Sequence, residues 1–217
     1  MDADATTVLG GMKSPPWSKV VLVFHVFELL LLGVYALLFF QTPIEAEGSA
    51  LSQLRGYLLP AIPFILLLHF FVLGLWVHAL YADAHHVFHE HDLRPQQAML
   101  MVLVPIVNIY GFGRTLSRLA GMADRYDKDR TFKRPNILLK YGLVVFYAAL
   151  AGILLSLYYT VNMPDRTVEQ AKVYYLLFNS LQFILVAGAV AGASLAVVGS
   201  QSIVKHQWHI EYIKASN

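Results

Sequence analysis

Long apolar segments alternate with short polar ones along the chain. Four of the apolar segments hold more than twenty residues each, at about 20–40, 57–81, 137–161 and 173–198. An α-helix rises about 1.5 Å per residue, so about twenty apolar residues cross the roughly 30 Å hydrocarbon core of a bilayer. No internal repeat or linker divides the pattern. It therefore predicts one all-α integral membrane domain over residues 1–217, with four transmembrane helices.

A fifth apolar stretch, at residues 96–112, differs from the other four. Pro105 interrupts it, and Gly111 and Gly113 mark its predicted end. The apolar part Ala98–Phe112 would reach only about 22 Å as a helix, less than the thickness of the hydrocarbon core. Irregular backbone at membrane depth is tolerated where protein or a wet cavity satisfies its polar groups. The stretch therefore predicts a short, proline-broken re-entrant or interfacial segment, with a fifth span as the alternative.

The lysines and arginines favour one of these two topologies. With four spans, thirteen of the 16 basic residues lie on the side of both termini, and three lie on the other side. With five spans, the balance falls to eleven against five. Because loops rich in lysine and arginine stay in the cytoplasm, the charge pattern favours four spans with both termini cytoplasmic.

Composition agrees with a membrane protein and excludes several other classes. The chain is 57% hydrophobic and only 14% charged, whereas soluble domains are about 45–50% apolar and about 25% charged. The absence of cysteine excludes disulfides and thiolate metal sites. The net charge of +2, without a basic patch interleaved with aromatic residues, argues against nucleic acid as a partner. The lipid bilayer is the predicted partner.

Two histidines and a glutamate fall deep inside the predicted spans, away from their ends. His25 and Glu28 lie in the first span, and His69 lies in the second. Such groups are costly in a membrane and usually face the bundle interior or a cavity. His25 and Glu28 share one helix face, and Glu28 and His69 lie at similar depths in antiparallel helices. Two interpretations stay open: a proton-handling or ligand-binding pair, or an interhelical hydrogen bond worth about 0.6–2 kcal/mol to packing.

Histidines are also concentrated just after the second predicted span, in the segment DAHHVFHEHD. The cluster comprises His85, His86, His89 and His91. The spacing of His85 and His89 presents two imidazoles on one helix face, and imidazole with carboxylate suits zinc, iron, copper or nickel. The cluster is therefore a candidate metal site. The alternative is a polar helix end at the membrane interface that is locally rich in histidine.

A b-type haem is a second cofactor candidate, with His25 and His78 as axial ligands from facing helices. His69 and His78 are nine residues apart and point to opposite sides of the helix, so the second span offers no histidine pair on one face. We predict no cofactor from the sequence, and keep the transition metal and haem b as alternatives.

The fourth predicted span carries a small residue at every fourth position. These residues are Gly188, Gly192, Ala196 and Ser200. A ridge of small side chains lets helix backbones approach closely in lipid. The ridge predicts close packing within this bundle, against another membrane protein, or against a second copy of the chain.

A longer pattern extends from the second span to the carboxyl end. It consists of Trp76, His78, Asp83, Ala84, the sequence VPIVN at residues 104–108, and Tyr110. A basic amphipathic segment, two further spans and a basic tail follow. In this order of features the chain resembles domain-of-unknown-function family 4328, a group of bacterial multi-pass membrane proteins without an assigned activity. The resemblance covers roughly the last two-thirds of the chain.

The chain departs from that family at two places. Ala79 stands where the family has arginine, and AMLMVL replaces a tryptophan-rich run before Pro105. The resemblance implies the bacterial cytoplasmic (inner) membrane, a multi-pass architecture, and a structural or recognition role for Pro105 and Asn108. It implies no activity.

Known catalytic motifs are missing from the sequence. It contains no P-loop, GxSxG, HExxH or paired-carboxylate motif. This favours a non-enzymatic accessory or interaction subunit. One alternative is a protein that handles a small solute, an ion or a lipid by means of Glu28 and His69. The other is a metal- or haem-binding oxidoreductase built on the cytoplasmic histidine cluster.

Overall fold

A computed structural model describes residues 11–41, 50–89, 93–126, 132–161 and 168–216 and confirms the all-α class. The regular structure in these ranges is helical throughout. The six helices in the described ranges are α1 (Ser14–Gln41), α2 (Ala50–Phe88), α3 (Pro95–Leu103), α4 (Pro105–Tyr126), α5 (Lys133–Val161) and α6 (Val168–Ser216).

Four of these helices contain a stretch that is long and apolar enough to cross a membrane. Among the described residues, these stretches are Ser14–Ala36 in α1, Leu67–Phe88 in α2, Lys133–Tyr159 in α5 and Leu176–Ile213 in α6. Each overlaps one of the four predicted spans. Only 11% of the stretch in α1 and 22% of those in α5 and α6 are buried inside the protein. Such outward-facing apolar surface suits helices surrounded by lipid, because lipid tails are as apolar as leucine.

The predicted re-entrant segment is a helical hairpin formed by α3 and α4. Val104 separates the two helices in an extended conformation, with φ −75° and ψ 113°. Its position explains this, because a residue that precedes proline is disfavoured in the helical conformation. Gly111 of α4 faces the backbone of Met101 in α3, and the Leu103 side chain lies against Gly74 of α2. The chain therefore reverses at Val104, so that α3 runs back along α2 and α4 returns.

Helix α4 continues through Gly111 and Gly113, so the prediction that these glycines end the segment is wrong. Both residues are small because a neighbour lies very close. A side chain on Gly111 would collide with the carbonyl of Met101, and one on Gly113 would collide with the hydroxyl of Tyr147 in α5. The Gly113 N–H donates a hydrogen bond of 2.8 Å to that hydroxyl. The glycines thus permit packing of the hairpin rather than a break in it.

The start of α1 is fixed to the end of α2 by Asp83. This buried carboxylate accepts hydrogen bonds from the backbone N–H groups of Lys13, at 3.0 Å, and Ser14, at 2.7 Å. The Ser14 hydroxyl also donates to it, at 2.6 Å. Gln201 of α6 donates to the Ser14 hydroxyl at 3.0 Å. The beginning of α1 and the later parts of α2 and α6 therefore meet at one end of the bundle.

The end of α4 and the start of α5 lie beside the end of α2. The Tyr126 hydroxyl, in the last residue of α4, donates a hydrogen bond to the carbonyl of Phe88, the last residue of α2. Asn136, in the first turn of α5, donates to the carboxylate of Asp124 in α4. We call this the hairpin end of the bundle. It holds the well-packed core, whose largest buried side chains include Trp76, Tyr81, Phe88, Phe112 and Phe132.

Glycines bring α5 and α6 into backbone contact. A Cβ on Gly192 would lie 2.5 Å from a backbone nitrogen of α5, and a Cβ on Gly142 would lie 2.5 Å from a backbone nitrogen of α6. Gly188 has ordinary spacing, since the nearest atom of α5 would be 3.6 Å from its Cβ. The small-residue ridge therefore packs against α5 within this bundle, most closely at Gly192. Its use by a partner or a second copy stays a prediction.

Candidate cation site in the middle of the bundle

Two of the intramembrane ionisable residues, Glu28 and His69, lie at one depth because the start of α1 is fixed to α2. Glu28 follows Ser14 by fourteen residues, and His69 precedes Asp83 by fourteen residues. Ser14 and Asp83 are in contact, and the two helices run in opposite directions. Fourteen residues of helix span about 21 Å, so Glu28 and His69 reach the same level. The structure therefore brings together the residues that the sequence placed at similar depths.

A continuous chain of polar contacts crosses three helices at this level. Oε1 of Glu28 in α1 lies 2.5 Å from Nδ1 of His69 in α2. Nε2 of His69 lies 3.2 Å from Nε2 of His25, one turn before Glu28 in α1. Nδ1 of His25 lies 2.7 Å from Oγ of Ser194 in α6. The Ser194 hydroxyl in turn donates to the carbonyl of Val190, at 2.9 Å.

Two hydrogen arrangements satisfy this chain, and they differ in the direction of the contact between Ser194 and His25. In one, the Ser194 hydroxyl donates to Nδ1 of His25, each neutral imidazole donates toward Glu28, and Glu28 is a carboxylate. In the other, the Ser194 hydroxyl donates to the carbonyl of Val190, Nδ1 of His25 donates to Ser194, and Nε2 of His69 donates to Nε2 of His25. The second arrangement holds one more proton, which lies between His69 and Glu28. It makes the pair either an imidazolium with a carboxylate or an imidazole with a carboxylic acid.

The site is nearly closed to solvent by the protein itself. His25 is only 2% exposed, and the side chains of His69 and Glu28 are 12% and 11% exposed. Two phenylalanine rings stack beside His69, with centroid distances of 6.3 Å for Phe24 and 6.1 Å for Phe70. Burial of a charge is costly unless it is paired and hydrogen-bonded. These apolar walls therefore strengthen each polar contact in the chain and penalise the loss of any one of them.

This cluster has the donor atoms of a metal site. Within the described part of the chain, His25, Glu28 and His69 are the group of three whose ligand atoms, one from each residue, all lie within 4.8 Å of one another. The set contains two imidazoles and one carboxylate, which suit borderline transition metals such as zinc, nickel and copper.

The histidines of the cluster at the end of α2 have separate neighbours. The rings of Tyr81 and His85 meet edge to face, 6.1 Å apart, and His86 lies against Trp208, 5.0 Å away. His89 follows the last residue of α2 with a φ of 52°, and its N–H donates to the carbonyl of His85 at 3.2 Å. His91 lies outside the described residues. A metal site in this cluster stays a prediction.

The alternative haem arrangement would have to displace contacts that His25 already makes. Its two ring nitrogens are hydrogen-bonded to Ser194 and His69. His78 lies nine residues after His69 in α2, about 13 Å farther along the helix. Coordination of an iron by His25 would break its contact with one of the two partners. The haem also stays a prediction.

Neither the contact of Ser194 with the site nor the role of Asp83 in aligning the site was predicted from the sequence. Ser194 lies between two residues of the small-residue ridge, Gly192 and Ala196, where a hydroxyl reads as one more small side chain. Asp83 reads as a flank of the histidine cluster, although it fixes the register that aligns the site. The sequence did contain a signal for this role of Asp83. The spacing from His69 to Asp83 equals the spacing from Ser14 to Glu28, at fourteen residues each.

None of the protein-family models, curated proteins or solved structures compared with this chain matches. The resemblance to domain-of-unknown-function family 4328 therefore stays a prediction. The side chains of Pro105 and Asn108, which that resemblance singles out, lie outside the described part of the structure.

Proposed function

We propose that this protein is an ion-handling protein of the membrane, in which Glu28, His69 and His25 bind a small cation inside the helical bundle. The cation is a proton or a metal ion. The observation that carries this proposal is the unbroken chain from Glu28 through His69 to His25, with contacts of 2.5 Å and 3.2 Å. It supports the alternative function that the sequence suggested for Glu28 and His69.

The number of hydrogens in the chain supports a cation-binding role. If the hydrogen between Glu28 and His69 is removed, the chain can still be satisfied. The Ser194 hydroxyl then donates to Nδ1 of His25, Nε2 of His25 donates to Nε2 of His69, and Nδ1 of His69 donates to the carboxylate of Glu28. The chain can therefore take up or release one proton and keep a donor and an acceptor at every contact, which suits proton handling.

The location of the three residues supports the same role. Ionisable groups within spans are costly, and they mark substrate or ion pathways and proton relays. Here three such residues come from two of the helices that could cross a membrane and meet at one point. A single neutral hydrogen bond would be enough to join α1 with α2. The additional imidazole and the carboxylate are better explained by a cation than by packing alone.

The interaction-subunit hypothesis rests on missing catalytic motifs and on the small-residue ridge. That ridge already packs against α5 at Gly192. We therefore place ion handling ahead of it. For the location, we propose the bacterial cytoplasmic membrane with the hairpin end and both termini in the cytoplasm, because thirteen of the 16 basic residues belong to that side.

Ion flux into proteoliposomes tests the proposed function. Vesicles containing the full-length protein would enclose either a pH-sensitive dye or a zinc-sensitive dye, under an imposed potassium diffusion potential. We expect the wild-type protein to admit protons or Zn²⁺ faster than protein-free vesicles do. Glu28→Gln keeps the size of the side chain and a hydrogen bond to His69 but removes the carboxylate, and it should reduce the flux to the level of protein-free vesicles.

Glu211→Gln is the matched control, because it removes a carboxylate near the end of α6 and should leave the flux unchanged. Equal flux through the wild-type protein and Glu28→Gln would contradict the proposal. So would a wild-type protein indistinguishable from protein-free vesicles. A stoichiometric membrane-protein partner after purification would then support the interaction-subunit hypothesis instead.

A further inference from the structure

We infer that the facing Nε2 atoms of His25 and His69 are ligands for a divalent first-row transition-metal ion that favours imidazole, of which Zn²⁺ is the representative. The inference rests on the proposed function, since it names the class of ion that the same cluster takes. Its test measures binding of the metal alone rather than transport, so each of the two proposals can fail without the other.

The separation of the two nitrogens fits two ligands of one ion. Zinc binds imidazole nitrogen at about 2.0–2.1 Å in a tetrahedral arrangement, so two nitrogens on the same zinc lie about 3.4 Å apart. Nε2 of His25 and Nε2 of His69 are separated by 3.2 Å. The two rings are inclined at 73°, with centroids 4.9 Å apart. The nitrogens therefore converge at their edges, and a small movement of either ring admits the ion between them.

The other ring nitrogens are occupied in the way that metal-binding histidines require. A histidine that binds a metal through one nitrogen commonly donates the other N–H to a carboxylate, a carbonyl or another polar oxygen, which fixes the tautomer and the ring orientation. Nδ1 of His69 has the carboxylate of Glu28 at 2.5 Å. Nδ1 of His25 has the hydroxyl of Ser194 at 2.7 Å. Both Nε2 atoms are thereby aimed at the space between the rings.

The hydrogens balance when an ion replaces the one that joins the two rings. When the Ser194 hydroxyl donates to Val190, the three residues hold a hydrogen on Nδ1 of His25, one on Nε2 of His69, and one between His69 and Glu28. After binding, hydrogens stay on the two Nδ1 atoms, Glu28 is a carboxylate, and one proton has left. In the arrangement with one proton fewer, the hydrogen between the rings moves to Nδ1 of His25 and no proton leaves. The carboxylate then offsets one of the two positive charges of the ion.

The donor set also selects the kind of ion. Mg²⁺ and Ca²⁺ take oxygen ligands, six or more for Ca²⁺, and Mg²⁺ keeps several waters. Two imidazoles in a narrow apolar surrounding offer them little. Zinc, cobalt, nickel and copper bind imidazole well. The site should therefore discriminate Zn²⁺ and Co²⁺ from Mg²⁺ and Ca²⁺.

Cobalt titration tests this inference directly. The full-length protein, purified without a histidine tag, would be treated with a chelator, placed in lipid nanodiscs and titrated with Co²⁺. The intense visible absorption of tetrahedral Co²⁺ reports the geometry of the site. We expect one Co²⁺ per chain, displaced by Zn²⁺ and not by Mg²⁺. His25→Gln and His69→Gln should each abolish the tetrahedral signal.

Two serines in α6 provide a matched pair. Ser194 and Ser202 both donate to the carbonyl four residues earlier, at 2.9 and 2.7 Å, but Ser194 is the one hydrogen-bonded to His25. Loss of a hydrogen bond that orients a ligand typically weakens metal affinity about 10–100-fold. Ser194→Ala should show that loss, whereas Ser202→Ala should bind Co²⁺ like the wild-type protein. Size-exclusion profiles and unfolding temperatures of all variants identify any that misfold.

Two histidines of the cluster at the end of α2 provide a negative control. His86 and His89 are exposed, and the double variant His86→Gln and His89→Gln should keep the tetrahedral signal. Loss of Co²⁺ in that variant, with retention in His69→Gln, would overturn the inference. Equal affinity of Ser194→Ala and the wild-type protein would also overturn it, as would a wild-type protein that binds no Co²⁺. A protein that admits protons but binds no Co²⁺ refutes this inference alone.

Discussion

The hydroxyl of Tyr126 donates a hydrogen bond to the backbone carbonyl of Phe88, which joins the last residue of α4 to the last residue of α2. The two aromatic rings also meet edge to face, with centroids 5.3 Å apart. The chain between these residues therefore leaves the hairpin end of the bundle and returns to it. We therefore expect the segment to enter the membrane and leave it on the same side.

Cysteine accessibility checks that path, because the natural chain contains no cysteine. Gln96 is exposed in the first turn of α3, Lys133 is exposed at the start of α5, and Gln53 is exposed near the opposite end of α2. We expect Gln96→Cys and Lys133→Cys to resist a membrane-impermeant thiol reagent in intact cells and to react after lysis. Gln53→Cys should react in intact cells. Labelling of Gln96→Cys and Lys133→Cys from opposite sides would show a fifth span.

Two glycines in α4 test the hairpin itself. A side chain on Gly111 would collide with the backbone of Met101, whereas a Cβ on Gly121 meets nothing closer than 3.8 Å. Overpacking costs about 1–3 kcal/mol, so Gly111→Ala should lower the unfolding temperature in detergent micelles. Gly121→Ala should leave it unchanged or raise it, because alanine favours a helix. The same unfolding temperature for both variants would argue against the tight reversal at Val104.

A second pair of glycines tests the contact between α5 and α6. A Cβ on Gly192 would lie 2.5 Å from a backbone nitrogen, whereas at Gly188 the nearest atom would be 3.6 Å away. Gly192→Ala must separate the helices, and we expect a loss of about 1–3 kcal/mol in the free energy of unfolding. Gly188→Ala should be tolerated. Chemical denaturation in micelles measures both, and a more harmful Gly188→Ala would place the close contact elsewhere on α6.

Asp83 should contribute more to stability than a second aspartate that is exposed. Its carboxylate is 3% exposed and accepts from two backbone N–H groups at the start of α1. A negative charge there also favours the amino end of a helix. Asp83→Asn should lower the free energy of unfolding by about 1–3 kcal/mol.

Asp124 is the control for that prediction. Its side chain is 54% exposed and pairs with Lys140 at 3.1 Å, and exposed ion pairs contribute about 0–1 kcal/mol. Asp124→Asn also keeps an oxygen that can accept from Asn136. Chemical denaturation of the two variants under identical conditions should separate them clearly. An equal or larger loss for Asp124→Asn would show that the start of α1 is not held by Asp83.

Hydrophobic length and helix direction were enough to predict the four spans and the level of Glu28 and His69. Span length depends on the count of apolar residues, and depth depends on a count of residues from each helix end. Both are properties of the sequence alone. The reversal at Val104 followed from Pro105, since the residue before a proline disfavours the helix.

The parts that the sequence could not supply depend on rotation and close approach between helices. His25 could be assigned to the face of Glu28, but its contact with His69 depends on how α1 and α2 are rotated about their axes. Ser194 reaches His25 only because α6 lies beside α1. Gly111 and Gly113 read as a helix end because glycine is common there, although each marks a close neighbour that the sequence does not specify.

The central claim is that His25, His69 and Glu28 form one connected site inside the membrane. Solid-state NMR of the metal-free protein in lipid bilayers, with nitrogen-15 in its histidines, tests it most directly. We predict a correlation between the Nε2 atoms of two of the 9 histidines, assigned to His25 and His69 by its loss in His25→Gln and in His69→Gln and shifted by Glu28→Gln. The absence of that correlation in the wild-type protein, or its persistence unshifted in Glu28→Gln, would contradict the claim.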